Sequence, residues 1–387
     1  MKTLLIISVL LSACLVAFFA IAPSMTEKAL NPVKQHEPWP VSQEAQELHD
    51  SLIIGDWHTD SLLWNRDLLS EADFGHVDFP RLQKGNVAFQ VFTAVTKSPS
   101  GQNYESNAHD ASDNITPLVI SQLWPVRTWG SLFERALYQA QRLHTFSMTA
   151  PGQIRFVKNK QDVQEVLTLR AKGIDITGAL MGMEGAHPLE GKLENLDALY
   201  QAGYRLIGLQ HFFDNELGGS LHGTSNAGLT KFGKDVVKHA IDKNMIIDVA
   251  HSSHQVVKDV LAMTSKPIVL SHTGIHSHCQ TTRNIPDDLM QAIARKGGVI
   301  GIGYWRDVTC DDTPEGIVKT VRAAINLLGV DHVSLGSDYD GSIATYFDTA
   351  ELAALTHEML QQGFSEQEIK KVMGENMLRV LNQVLED

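Results

Sequence analysis

Three cysteines in 387 residues are too few to build a disulfide scaffold. Runs of Lys or Arg are missing too, and a formal net charge of −13 leaves no electrostatic footprint for nucleic acid. That sign says little about small substrates, because a local site can oppose it. Charged residues make up 20% and hydrophobic ones 43%, which excludes a disordered chain and describes a globular one. No sequence repeat of 20–50 residues is visible.

One long apolar run is present. Residues 4–22, LLIISVLLSACLVAFFAIA, follow a single Lys2. Three readings stay open. A cleaved signal peptide finds small-x-small sites at Ala20-Ile21-Ala22 and Ala22-Pro23-Ser24. An uncleaved anchor has just enough length to span a bilayer. Leu11-Ser12-Ala13-Cys14 resembles a lipoprotein box, although the run stays apolar past Cys14. All three export the remainder to a periplasmic or extracellular face. Residues 23–45, with Pro23, Pro32, Pro38 and Pro40, read as a linker, and residues 46–387 as the catalytic domain. Cys279 and Cys310 remain as an even pair in an exported domain. They are either two buried thiols or a disulfide closing about 30 residues, worth roughly 3 kcal/mol.

What does repeat is a pattern. Eight short apolar runs alternate with stretches of helical spacing: SLIIGD (51–56), VAFQVFTAV (87–95), ITGALMGME (176–184), YRLIGLQH (204–211), MIIDVAH (245–251), KPIVLSH (266–272), GGVIGIGYW (297–305) and HVSLGSD (332–338). Near-continuous apolar strands alternating with helices predict a parallel sheet. Eight of them favour an α/β fold of the closed (β/α)8 barrel type over an open doubly wound sheet. Residues 96–131 interrupt the alternation with a polar and aromatic insert, a candidate lid or interface loop.

The strand ends carry the chemistry. GDWHTD (55–60) sets His58 and Asp60 two positions apart, on one side of an extended chain. The other runs end in Glu184, His211, His251, His272 and Asp338. A barrel gathers all such ends at one mouth, where active sites sit. Imidazole with carboxylate and without thiolate suits zinc, or manganese or cobalt. Four histidines and three acids are too many for one tetrahedral ion and suit two ions sharing a carboxylate.

GDWHTD, MGMEG, LQHFFDN, GLTKFGKDVVKHAIDKNMIIDVAHSS, PIVLSHTG, TTRNIPDDLM, GSDYDG and GENMLRVL together resemble the membrane dipeptidase (renal dipeptidase) family, zinc peptidases of the amidohydrolase superfamily. The segments run in family order across residues 50–382. The resemblance implies two Zn²⁺: His58 and Asp60 on the first, His251 and His272 on the second, Glu184 bridging. It implies that His211 contacts the substrate and polarises the scissile carbonyl, and that Asp338 handles the proton of a metal-bridging hydroxide. Arg283 would hold the substrate carboxylate; from the residues alone, a surface ion pair with Asp287 or Asp288 is the plainer reading. Cys279 and Cys310 fall where exported animal members of the family carry a bridge, and a homodimer is the family expectation.

The implied function is hydrolysis of free dipeptides. Hydrolysis of an N-acyl amino acid or a β-lactam, and a catalytically silent barrel, are the alternatives. Two features depart from the family pattern: Trp57, which would narrow the pocket floor, and Thr59. His222 is in reach of the mouth or else solvated, and His187, His254, His276 and His278 read as supporting or surface residues.

Overall fold

The computed structural model describes residues 2–387, apart from the side chains of residues 2, 4, 5 and 7–16. Each of the eight apolar runs forms one strand of a single parallel ring. The strands are β1 (Ile54–Thr59), β2 (Val87–Val95), β4 (Thr177–Glu184), β5 (Tyr204–Gly208), β6 (Ile246–Asp248), β7 (Val269–Thr273), β8 (Val299–Ile302) and β9 (Val333–Leu335), with a short β3 (Ile154–Val157) between β2 and β4. Their order is β2-β1-β9-β8-β7-β6-β5-β4, and pairing of β2 with β4 closes the barrel. The chain is a (β/α)8 barrel.

β3 was not anticipated. It pairs with Thr177–Leu180 of β4, while β5 takes Met181–Met183 of the same strand, so β3 lies outside the ring. Four residues are too few to show a period. The eight ring strands are buried along their whole length, because helices cover their outer face and barrel side chains fill the inner one. Side-chain caps start the helices that follow: Thr230 for Lys231–Asp242, Ser253 for His254–Met263, and Thr313, with Pro314 behind it, for Pro314–Leu328.

Residues 23–45 differ from a free tether. A helix, Lys2–Leu30, runs through Pro23 and delivers Glu27 to the barrel, where it is 3% exposed. Val33 then bridges Thr345, and the Trp39 Nε1–H donates to the Tyr346 carbonyl at 3.2 Å. Proline content suggests a linker only where the polar and aromatic residues between the prolines find no partners. The targeting role expected of residues 1–22 falls largely on side chains outside the description. Among the described residues no helix is long and apolar enough to cross a membrane.

Cys279 and Cys310 form a disulfide with their Cα atoms 5.6 Å apart. It joins the loop after β7, which carries Arg283, to the loop after β8. Between them the Asn284 Nδ2 donates to the carbonyls of Cys279 (2.9 Å) and Val308 (3.0 Å), fixing the arginine's neighbour from both sides.

Candidate active site

The barrel brings every strand-end residue to one mouth. Glu184 closes β4 and stands at the centre. Its Oε1 is 3.4 Å from His58 Nε2, 3.2 Å from His251 Nε2 and 3.4 Å from His272 Nε2, and its Oε2 is 3.4 Å from His211 Nε2. Asp60 Oδ1 and Asp338 Oδ1 lie 3.5 Å and 3.8 Å from His58 Nε2. By ligand-atom distance, His58, Glu184, His272 and Asp338 form one group, and Glu184, His211 and His251 another. Asp60 is in neither. Its Oδ1 accepts from Thr93 Oγ1 at 2.6 Å, at the edge of the cluster.

A row of hydrogen bonds orients the histidines. Buried Asp248 accepts from Ser271 Oγ (2.6 Å), and that hydroxyl lies 2.8 Å from His272 Nδ1 and 3.3 Å from His58 Nδ1. The far nitrogens are thereby aimed at Glu184. Such carboxylate-backed imidazoles are the usual support of a metal site. Glycines make the approach possible: a Cβ at Gly301 or Gly336 would meet the Ser271 carbonyl oxygen at 2.0 or 1.7 Å. His211 is held separately, its Nδ1 3.1 Å from the Lys97 carbonyl.

The donor set fits metal ions. His58 Nε2 is buried without a hydrogen-bond partner, and His251 Nε2 and His272 Nε2 are only 2.9 Å apart. Burial, with Arg283 and His272 beside it, holds His251 neutral well below the ordinary imidazole range; burial and His58 do the same to His272. Burial opposes charge on His58, but Glu184 and Asp60 outweigh it and favour its imidazolium. Burial opposes charge on Glu184 too, yet His211 and His58 keep it ionised. Asp338 goes the other way. Burial, with Glu184 and Asp60 nearby, holds its proton well above the carboxylate range against the pull of His58.

Arg283 is fully buried, which rules out the surface ion pair with Asp287 or Asp288. One nitrogen, Nη2, donates to the His272 carbonyl at 2.7 Å, while Nε and Nη1 have no partner. The guanidinium lies over the Trp305 ring and lines, with Asp338, Glu184 and Tyr104, a cavity of about 70 Å³. A second cavity of about 190 Å³ adjoins it, sharing Tyr104, Ser342 and Ile343.

The 96–131 insert supplies one wall. Its Tyr104 packs tilted against Phe212, ring centroids 5.6 Å apart, and accepts from Trp305 Nε1 at 3.0 Å. His222 does reach the mouth: it is buried, 2.8 Å from the Tyr104 carbonyl, 5.3 Å from the His251 ring, and burial lowers its pKa to about 3. His187 is buried beside Gly185, His276 is half-buried, and His254 and His278 are exposed. Trp57 does not narrow the floor. It faces away from His58 across β1 and donates to Ser334 Oγ at 3.2 Å, in the cluster that holds Met377 and Val380. Sequence reasoning did not single out Tyr104, Trp305, Asp248 or Ser271. No spacing marks them, because their partners lie on other strands or across the insert.

A model of the family described as membrane dipeptidase, peptidase family M19, matches residues 42–386. The chain belongs to the membrane dipeptidase family. Among curated relatives, dipeptidase verJ of Clonostachys rogersoniana is 28% identical over 318 residues, covering 80% of this chain and 76% of the relative. A metallopeptidase of Rhodobacter sphaeroides, solved with a phosphinate mimic of the dipeptide L-Ala-D-Ala, is 25% identical with a TM-score of 0.69, covering 86% of this chain and 99% of that one. PvdM of Pseudomonas aeruginosa, described as a probable dipeptidase, shares the fold at 20% identity and a TM-score of 0.72, over 88% and 98% of the two chains. Membership makes this chain one of a family of dipeptide hydrolases, and its buried histidine–carboxylate cluster suits a metallopeptidase.

Proposed function

We propose that the chain is a two-zinc dipeptidase that hydrolyses the peptide bond of free dipeptides. Arg283 carries the reading. It is a buried guanidinium with Nε and Nη1 unbonded, in the same cavity wall as Asp338 and Glu184. A planar fork of donors is matched by a carboxylate. A site that needs a free carboxylate one residue past the cut selects dipeptides, and a cavity of about 70 Å³ favours small ones. The ligand of the Rhodobacter sphaeroides relative, a mimic of L-Ala-D-Ala, supports including D-residues at the second position.

His58 with Asp60 would hold one zinc, His251 with His272 the other, and Glu184 would bridge them. Bound there, the ions would acidify a water and polarise the substrate carbonyl. The chain's own side chains do the rest. Arg283 fixes the substrate carboxylate, and His211, with Nε2 turned inward, hydrogen-bonds the scissile carbonyl oxygen. Asp338 takes a proton from the attacking water and gives it to the leaving amine. The apolar run at 4–22 supports placing this barrel on the outer side of a membrane.

The test is amine release from free L,L and L,D dipeptides, each paired with its C-terminally amidated form, with and without chelator. Chelator-sensitive cleavage of the free forms alone is the expected result. Zinc-loaded protein that leaves every dipeptide intact but opens N-acyl amino acids or β-lactams would reassign the substrate while keeping the site.

A further inference from the structure

Asp338 opens a loop with an unusual backbone. Asp338, Asp340 and Ser342 adopt φ of 61°, 62° and 63°, the left-handed region that side chains disfavour. Three such residues in five persist only where the surroundings over-determine them. From the barrel side, Asp340 accepts from Ser61 Oγ (2.5 Å), the His76 N–H (2.7 Å) and Arg66 Nη2, and its carbonyl accepts from Trp64 Nε1 (2.7 Å).

The other side is held by the N-terminal segment. Asn31 Oδ1 accepts from the Ser342 N–H at 2.8 Å. The Pro32 carbonyl accepts from the Thr345 N–H at 3.1 Å, and the Lys34 N–H donates to the Thr345 carbonyl at 2.7 Å. Glu27 accepts from Arg66 Nε at 2.5 Å, so it braces the same guanidinium that grips Asp340. Glu27 and Asn31 are 3% and 1% exposed, as buried as any core residue. All of these N-terminal residues precede residue 42, where the family match begins. They lie outside the matched stretch, and Asn31, Pro32 and Lys34 hold the loop that carries Asp338.

We propose that residues 27–34 form a strap that positions Asp338 for proton transfer, with Asn31 and Glu27 as its positioning residues. The catalytic half of this proposal rests on the dipeptidase reading; the mechanical half does not. Asn31 removes the freedom of the Ser342 amide, Thr345 is tied by Pro32 and Lys34 further along the strap, and Glu27 locks Arg66. The loop between Asp338 and Thr345 is then fixed at both edges.

The experiment uses the zinc-loaded full chain, with Asn31→Ala and, as the milder change, Glu27→Gln. It measures amide hydrogen exchange over residues 338–346, bound zinc, and kcat and KM on a free dipeptide. Each variant is made alone and together with Asp338→Asn. The expected result is faster exchange at Ser342 and Thr345, unchanged zinc and KM, and kcat lower by about tenfold, with no further loss in the Asp338→Asn background. Unchanged exchange overturns the strap. Faster exchange with unchanged kcat overturns the positioning role, as does a tenfold loss that persists on top of Asp338→Asn. A wild-type chain that cleaves no dipeptide removes the dipeptidase reading and the catalytic half with it, while exchange still decides whether the strap holds the loop.

Discussion

Asp338 and Asp340 are separated by one tyrosine, share a backbone conformation, and are both buried, yet they sit in opposite worlds. Asp340 is met by a hydroxyl, a backbone N–H and a guanidinium, and Arg66 above all, working against burial, holds its carboxyl far below the usual range. The Asp338 carboxyl receives no hydrogen bond among the described residues, and burial, with two other carboxylates nearby, holds its proton high. The same contrast recurs in two other residue types. Arg66 spends all three nitrogens on Glu27, Val77 and Asp340, whereas Arg283 leaves two unspent. His49 bonds through both nitrogens, to Thr356 Oγ1 (2.8 Å) and the Gly85 carbonyl (3.2 Å), whereas His58 keeps Nε2 free. Burial and residue type do not separate scaffold from site in these three pairs; unmet bonding capacity does.

The contrast breaks most clearly if the two aspartates behave alike. Asp338→Asn is expected to cost about 10²–10⁴ in kcat, the scale of a lost acid–base group, while keeping bound metal and thermal stability. A parallel loss of zinc would make Asp338 a ligand instead. Asp340→Ala is expected to lower stability by about 3–5 kcal/mol in denaturant unfolding, because it removes one of the two carboxylates paired with a buried guanidinium and leaves the Ser61 hydroxyl and His76 N–H unmet. A stable, inactive Asp340→Ala would erase the distinction.

The histidines sharpen it. Burial lowers the His49 pKa to about 4, so the fold accommodates the neutral ring and the unfolded chain binds the proton first. Its contribution is complete above the unfolded value near 6.5 and is lost as pH falls toward 4, a span worth roughly 3 kcal/mol. His49→Gln should flatten the acid limb of the stability curve and leave turnover at neutral pH as it was. A change in turnover would place His49 on the wrong side of the comparison. The smallest effect expected is from Arg283→Ala: KM for free dipeptides higher by about 10–100-fold, since the partner of its two free nitrogens is the substrate's carboxylate. Amidated and free substrates should then differ less than in the wild type.

Much of this was readable in the chain. Strands buried on both faces announce themselves as apolar runs, and a closed ring then forces their ends together, so His58, Glu184, His251 and His272 could be grouped without coordinates. Arg283 was different. Two aspartates four and five residues later made a surface ion pair the plainer reading, and only the resemblance pointed inward. β3 was too short to show a period, and Asp248 and Ser271 became legible only once register paired β6 with β7. The segment 23–45 was misleading for a physical reason: prolines describe how stiff a chain is, not what Glu27 and Asn31 will meet. Sequence shows which residues carry capacity for chemistry; which of that capacity is already consumed depends on partners hundreds of positions away.

Asn31 and Ser342 are 311 residues apart. During synthesis the strap exists early and waits for almost the entire chain before its partner emerges. A nascent polypeptide that has made every histidine through His272 still lacks both Asp338 and the loop that the strap grips. Contacts of such long range are also among the slowest for a folding chain to find. The mouth of the barrel is therefore complete only when the last strand, β9, has formed and residue 31 has met residue 342.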